Sequence, residues 1–132
     1  MNEVLGKLGL SLARYLSKPT AHYEQFSLIS EEKLLGTLEP CDLLLVEGKS
    51  RISTAIKYLT QSTWSHVAIY IGQDLVCHGK QQHPLLEADL IEGVRTVPID
   101  YYHDFNVRIC RPINLQAEDK QAVIDFVCNS IG

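Results

Sequence analysis

The apolar positions of the chain follow two spacings, one helical and one extended. Val4, Leu5, Leu8, Leu12, Tyr15 and Leu16 recur every three to four residues, with Lys7, Arg14 and Lys18 elsewhere around the turn, which predicts an amphipathic N-terminal helix. The favoured reading docks that helix on its own domain; the alternative is an interfacial membrane helix, which the short segment and its three basic residues support less well. Ser17-Lys18-Pro19-Thr20 breaks the pattern, and residues 21–29 read as irregular linker. Ser30-Glu31-Glu32-Lys33 is an N-capped start to a short helix ending at Gly36. After Pro40, the continuous run Leu43-Leu44-Leu45-Val46 predicts a buried central strand. Ser50 or Ser53 caps the next helix, whose inner face is Ile52, Ile56 and Leu59.

A second β-prone run, His66 to Ile71, stops at Gly72-Gln73-Asp74. Residues 74–78 read as its hairpin partner, and residues 79–84 as a polar loop containing His83. Leu85 to Asp89 and Gly93 to Pro98 follow as extended segments, and residues 100–104 as a short turn or helix. Residues 106–111 alternate polar and apolar, the mark of a half-exposed strand. Gln116 to Ser130 is a last helix with Ala122, Val123, Phe126 and Val127 inward. The class is α+β, an antiparallel sheet flanked by helices. Residues 1–37 form the N-terminal helix and linker, and residues 38–132 the domain proper.

Composition narrows the function more than the fold. At 132 residues the chain holds one core, with 45% apolar and 21% charged residues. A net charge of -4 and scattered Lys and Arg exclude a nucleic-acid surface. No run approaches the roughly 18 to 20 apolar residues of a membrane span, and Glu3, Gly6, Lys7 and Gly9 break any signal-peptide pattern. Cys41, Cys77, Cys110 and Cys128 show neither C-x-x-C nor zinc-finger spacing. Most of them read as small buried hydrophobes in a reducing compartment, and without a signal-peptide pattern the cytoplasm is the default expectation, with a membrane surface the alternative. No cofactor is expected.

The candidate chemistry gathers at His66. It opens a mostly buried strand, with Trp64 beside it to exclude water, so its backbone is held and a partner can reach it from the next strand. Those are the needs of a general base. Taken alone, a histidine in an apolar run is more often a core residue whose ring nitrogens are satisfied by backbone. Glu87, set in Leu-Leu-Glu-Ala, is a carboxylate among apolar neighbours, and its plain reading is a strand residue facing solvent or pairing with Arg95. A metal site from His66, His78 or His83 with Glu87 or Asp89 ranks last, because loop histidines are usually only solvated.

From about Leu38 onward the chain resembles the circularly permuted branch of the NlpC-type papain-like superfamily, which includes the YiiX-like hydrolases and the lecithin retinol acyltransferase group. The resemblance rests on Asp42-Leu43-Leu44-Leu45, the helix over residues 50–60, and Trp64-Ser65-His66-Val67-Ala68-Ile69-Tyr70-Ile71-Gly72. It also rests on Leu86-Glu87-Ala88, Gly93-Val94-Arg95-Thr96-Val97-Pro98 and the strand from Val107 to Arg111. It implies a papain-like fold in which a Cys-His pair performs acyl chemistry, with His66 as base and Glu87 orienting it. The family's cysteine opens a helix C-terminal to the histidine, where the helix dipole and the imidazolium favour the thiolate. No cysteine here matches it. Cys128 lies near the end of its helix, Cys110 on a strand and Cys77 in the hairpin, while Cys41 stands where the family usually has glycine. The expectation is a domain truncated before its catalytic helix, with Cys128 a minor alternative nucleophile.

The leading expectation is therefore a thiol hydrolase or acyltransferase, acting on a peptide, a peptidoglycan amide or a lipid acyl ester, with peripheral membrane contact through the N-terminal helix as the minority reading of that segment. The 132-residue chain itself would be inactive or nearly so. The alternative is a non-catalytic ligand- or partner-binding remnant of that fold. A partial domain would expose a sheet edge and apolar surface, and so be marginally stable or self-associating.

Overall fold

In the computed structural model, residues 2–20, 24–25 and 29–131 are described. The order is α1 (Asn2–Leu16), α2 (Glu31–Thr37), β1 (Leu43–Val46), α3 (Arg51–Thr60), β2 (His66–Tyr70), β3 (Val76–Cys77) and β4 (Lys80–Gln81). There follow β5 (Leu85–Asp89), β6 (Gly93–Val97), a 3-10 turn (Ile99–Tyr102), β7 (Val107–Cys110) and α4 (Ala117–Ser130). The class is α+β. Five strands form one antiparallel sheet in the order β6-β5-β2-β1-β7, so the two most apolar strands, β1 and β2, are interior and β6 and β7 form its edges. The linker expected over residues 21–29 lies largely outside the described residues.

Register decides which side chains share a face. Leu44 pairs with Ala68, Val46 with His66, Tyr70 with Leu85, and Glu87 with Arg95. Side chains alternate along a strand, so Leu44, Val46, Ala68, Tyr70, Leu85 and Val97 build the buried face. His66, Glu87 and Arg95 stand on that same face at one end. Leu34 and Leu38, at α2, and Ile99 and Tyr102, of the 3-10 turn, complete this core. Asp42 pins the start of β1: its buried carboxylate accepts from Arg111 (2.9 and 2.8 Å) and from the Glu39 backbone (2.8 Å).

Four details depart from the sequence expectations. Residues 74–78 do not pair with β2. The chain instead folds β3 onto β4 through His78-Gly79, both with positive φ (50° and 77°), as a two-residue hairpin turn of this hand requires. This leaves β2 to pair with β5. Second, Cys77 and Cys128 are joined in a disulfide, Cα to Cα 5.2 Å, which replaces the expected pair of free buried thiols. Third, α4 is rotated from its expected face. Val127 is buried, with Val123, Ile124 and Cys128 half-buried, while Phe126 is 73% exposed. The bond from Cys128 to Cys77 is consistent with that rotation. In α3, similarly, Ile52, Ser53 and Ile56 turn inward and Leu59 is exposed.

The fourth departure is α1, which does not bury its apolar face. Val4, Leu5, Leu8, Leu12 and Tyr15 are between 53% and 63% exposed. The helix meets the body at its C-terminal end. There residues 17–20 run beside residues 49–51, with Thr20 donating to the Lys49 carbonyl (2.7 Å), Arg51 to the Lys18 carbonyl (3.0 Å), and the Arg51 guanidinium 4.2 Å from the Tyr15 ring centre.

Candidate active site

His66 is placed by β2, which is hydrogen-bonded on both sides. Glu87 comes from β5 and Arg95 from its cross-strand position on β6, held by a tight connection. Asp89 caps that turn, accepting from the backbones of Ile91 and Glu92 at 2.8 Å each, and Gly93 takes a positive φ of 74°, as a three-residue hairpin loop with a bulge demands. Tyr102 is delivered by the 3-10 turn, its ring packed edge-on against Phe105 and Tyr101.

The side chains of His66, Arg95 and Tyr102 close on the carboxylate of Glu87. Glu87 Oε2 lies 2.8 Å from His66 Nε2 and also accepts from the Tyr102 hydroxyl, while Oε1 accepts from Arg95 Nε at 2.9 Å. The Tyr102 hydroxyl is itself 3.1 Å from His66 Nε2. Burial alone would raise the Glu87 pKa. The hydrogen bonds from His66, Tyr102 and Arg95 outweigh it and hold the carboxyl at about 2, so Glu87 is ionised at neutral pH. For Tyr102, burial and the neighbouring carboxylate push the phenol well above its ordinary range, so it stays a neutral donor. Because Glu87 is a pure acceptor, Nε2 carries the histidine proton and Nδ1 presents the lone pair. Nδ1 has no protein hydrogen-bond partner among the described residues. Glu87 thus contacts His66 and pairs with Arg95 rather than facing solvent.

His66 and Glu87 lie on the wall of a cavity of about 480 Å³, within the size range of small-molecule sites. Ile52 and Ile56 of α3, Leu90, Phe105 and Tyr102 supply the apolar wall. Its polar part is a serine group at the start of α3. Ser50 caps the helix (Ser53 backbone to Ser50 Oγ, 3.2 Å) and shares a hydroxyl contact with Ser53 at 2.8 Å, while Ser65 accepts from the Gly48 backbone at 2.9 Å. Trp64, expected to shield the site, instead lies against Arg108 at 5.8 Å and is not part of this wall.

No described cysteine reaches His66. Cys110 pairs with Leu43, three residues along β1 from the Val46 that faces His66, about 10 Å by strand rise and on the opposite face. Cys41 is buried, its thiol directed at the Lys120 carbonyl (3.8 Å) and its pKa raised by burial. Cys77 and Cys128 are consumed by their disulfide, which removes Cys128 as a nucleophile. The proposed metal set does not assemble either: His78 Nε2 contacts the Cys128 carbonyl at 3.0 Å, and no three His, Cys, Asp or Glu side chains converge among the described residues.

Sequence reasoning missed Tyr102. It lies 15 residues beyond Glu87 on a turn with no periodic pattern, so nothing in the local sequence aims it at the carboxylate. No protein-family model, curated protein or solved structure matches the chain.

Proposed function

We propose that the protein carries the base side of a thiol hydrolase or acyltransferase of the circularly permuted papain-like kind, with His66 as general base and Glu87 as its orienting carboxylate. The observation that carries this reading is the contact of His66 Nε2 with a buried, ionised Glu87 at 2.8 Å, on a residue that lines a cavity and whose other nitrogen has no protein partner among the described residues. Cys41 adds support. It adopts a φ of 76°, a left-handed conformation that favours glycine, at the position where the resembling family usually has glycine.

In this reading a cysteine thiol gives its proton to His66 Nδ1, and the thiolate attacks the carbonyl carbon of an amide or ester. The new C–S bond replaces the bond to the amine or alcohol, which leaves with the proton from the imidazolium. Water, or an acceptor hydroxyl or amine, then gives its proton to His66 and releases the acyl group. No described cysteine stands within reach of His66, so the described residues by themselves offer only the assisted imidazole.

p-Nitrophenyl butyrate tests the assignment. Slow ester cleavage is expected, lost in His66→Ala, reduced about tenfold or more in Glu87→Gln, and unchanged in Cys128→Ala. Rapid amide hydrolysis that Cys128→Ala abolishes, or ester cleavage indifferent to His66→Ala, would overturn it. The cavity without a thiol in reach also favours a second reading, a non-catalytic binding remnant. Tight binding of an unreactive acyl amide, with no His66-dependent cleavage, would select that reading.

A further inference from the structure

We propose that the exposed face of α1 is a docking surface for an anionic lipid bilayer, with the helix lying in the plane of the headgroups. Val4, Leu5, Leu8, Leu12 and Tyr15 form one stripe and are more than half exposed, an unusual concentration of apolar side chains for one short helix. The helix has 15 residues, about 22 Å at 1.5 Å per residue. No described helix is long and apolar enough to cross a membrane. An amphipathic helix of this kind binds at the interface.

Charge identifies the occupant. Residues 1–20 and 47–60, which meet where the strap after α1 runs beside the start of α3, carry Lys7, Arg14, Lys18, Lys49, Arg51 and Lys57 against only Glu3 and Glu47. That unit is +4 while the remaining residues sum to -8, in a chain of -4. A bilayer of negative surface potential attracts the first part and repels the second, which sets the orientation as well as the affinity. A second copy of this chain would instead bring two basic units together. Ser17 and Pro19, just past the helix, also line the His66 cavity, so a docked α1 holds the cavity beside the lipid surface.

Vesicle co-sedimentation tests the proposal with no chemistry involved, so its outcome is independent of the assignment of His66. Binding is expected to vesicles of phosphatidylcholine and phosphatidylserine in equal parts, weakening with salt, and not to phosphatidylcholine alone. Leu5→Asp/Leu8→Asp should abolish it, and Lys7→Glu/Arg14→Glu should weaken it about tenfold or more. Both variants should keep the wild-type melting temperature, because these side chains lie outside the core. In Leu8→Trp, emission should shift to the blue relative to wild type on adding anionic vesicles. The proposal is overturned if anionic vesicles do not bind, if the aspartate pair leaves binding intact, or if light scattering shows a dimer that the aspartate pair converts to monomer.

Discussion

Glu87 shows how a buried charge can be held by its neighbours. Its carboxyl titrates at about 2 against an ordinary 4.5, since the hydrogen bonds from His66, Tyr102 and Arg95 exceed the cost of burial. A carboxyl depressed in the folded state stabilises the fold above its unfolded pKa and loses that contribution as pH falls through the folded value. The window is therefore between about pH 4.5 and pH 2, with on the order of 3 kcal/mol at stake. Urea unfolding across this range should show the loss in the wild type and a much flatter profile in Glu87→Gln. In Tyr102→Phe one lowering hydrogen bond is removed, so the Glu87 carboxyl, followed by carbon NMR, should titrate higher, and the stability loss should be smaller and complete at a higher pH.

The elements matter through their junctions. The loop from β1 to α3 passes so close to the serine group that a Cβ on Gly48 would stand 2.1 Å from Ser53 Oγ and 2.8 Å from Ser65 Oγ. Ser53 is buried on the first turn of α3 and bonded to its N-cap, so it has little room to yield. Gly48→Ala should cost about 1–3 kcal/mol in denaturant unfolding. Gly48→Ala/Ser53→Ala should recover part of that loss, which a defect unrelated to this contact would not do.

At the scale of the molecule, the Cys77–Cys128 bond ties α4 to the small β3–β4 hairpin across 51 residues of chain. A loop of that length loses substantial unfolded-state entropy when closed, so Cys77→Ser/Cys128→Ser should lower stability by about 2–4 kcal/mol. Hydrogen exchange should locate the first loosening in the C-terminal half of α4 and in the hairpin, while β1 and β2 keep their protection. Equal exchange throughout would show that the bond supports the core generally.

The local sequence determined most of the elements and one half of the site. Continuous apolar runs could only be the interior strands β1 and β2, Ser30 and Ser50 announced their helices through hydroxyls that accept first-turn backbone N–H groups, and a carboxylate among leucines marked Glu87. Spacing along the chain carries that information because strand and helix periods are local. Partnership across the chain is not local. The register between β2 and β5, the aim of Tyr102 at Glu87, the rotation of α4 and the Cys77–Cys128 bond each join residues 15 to 51 positions apart. The amphipathic pattern of α1 likewise promised an apolar stripe but not its cover. Periodicity describes a face, and only the packed structure decides whether anything lies against it.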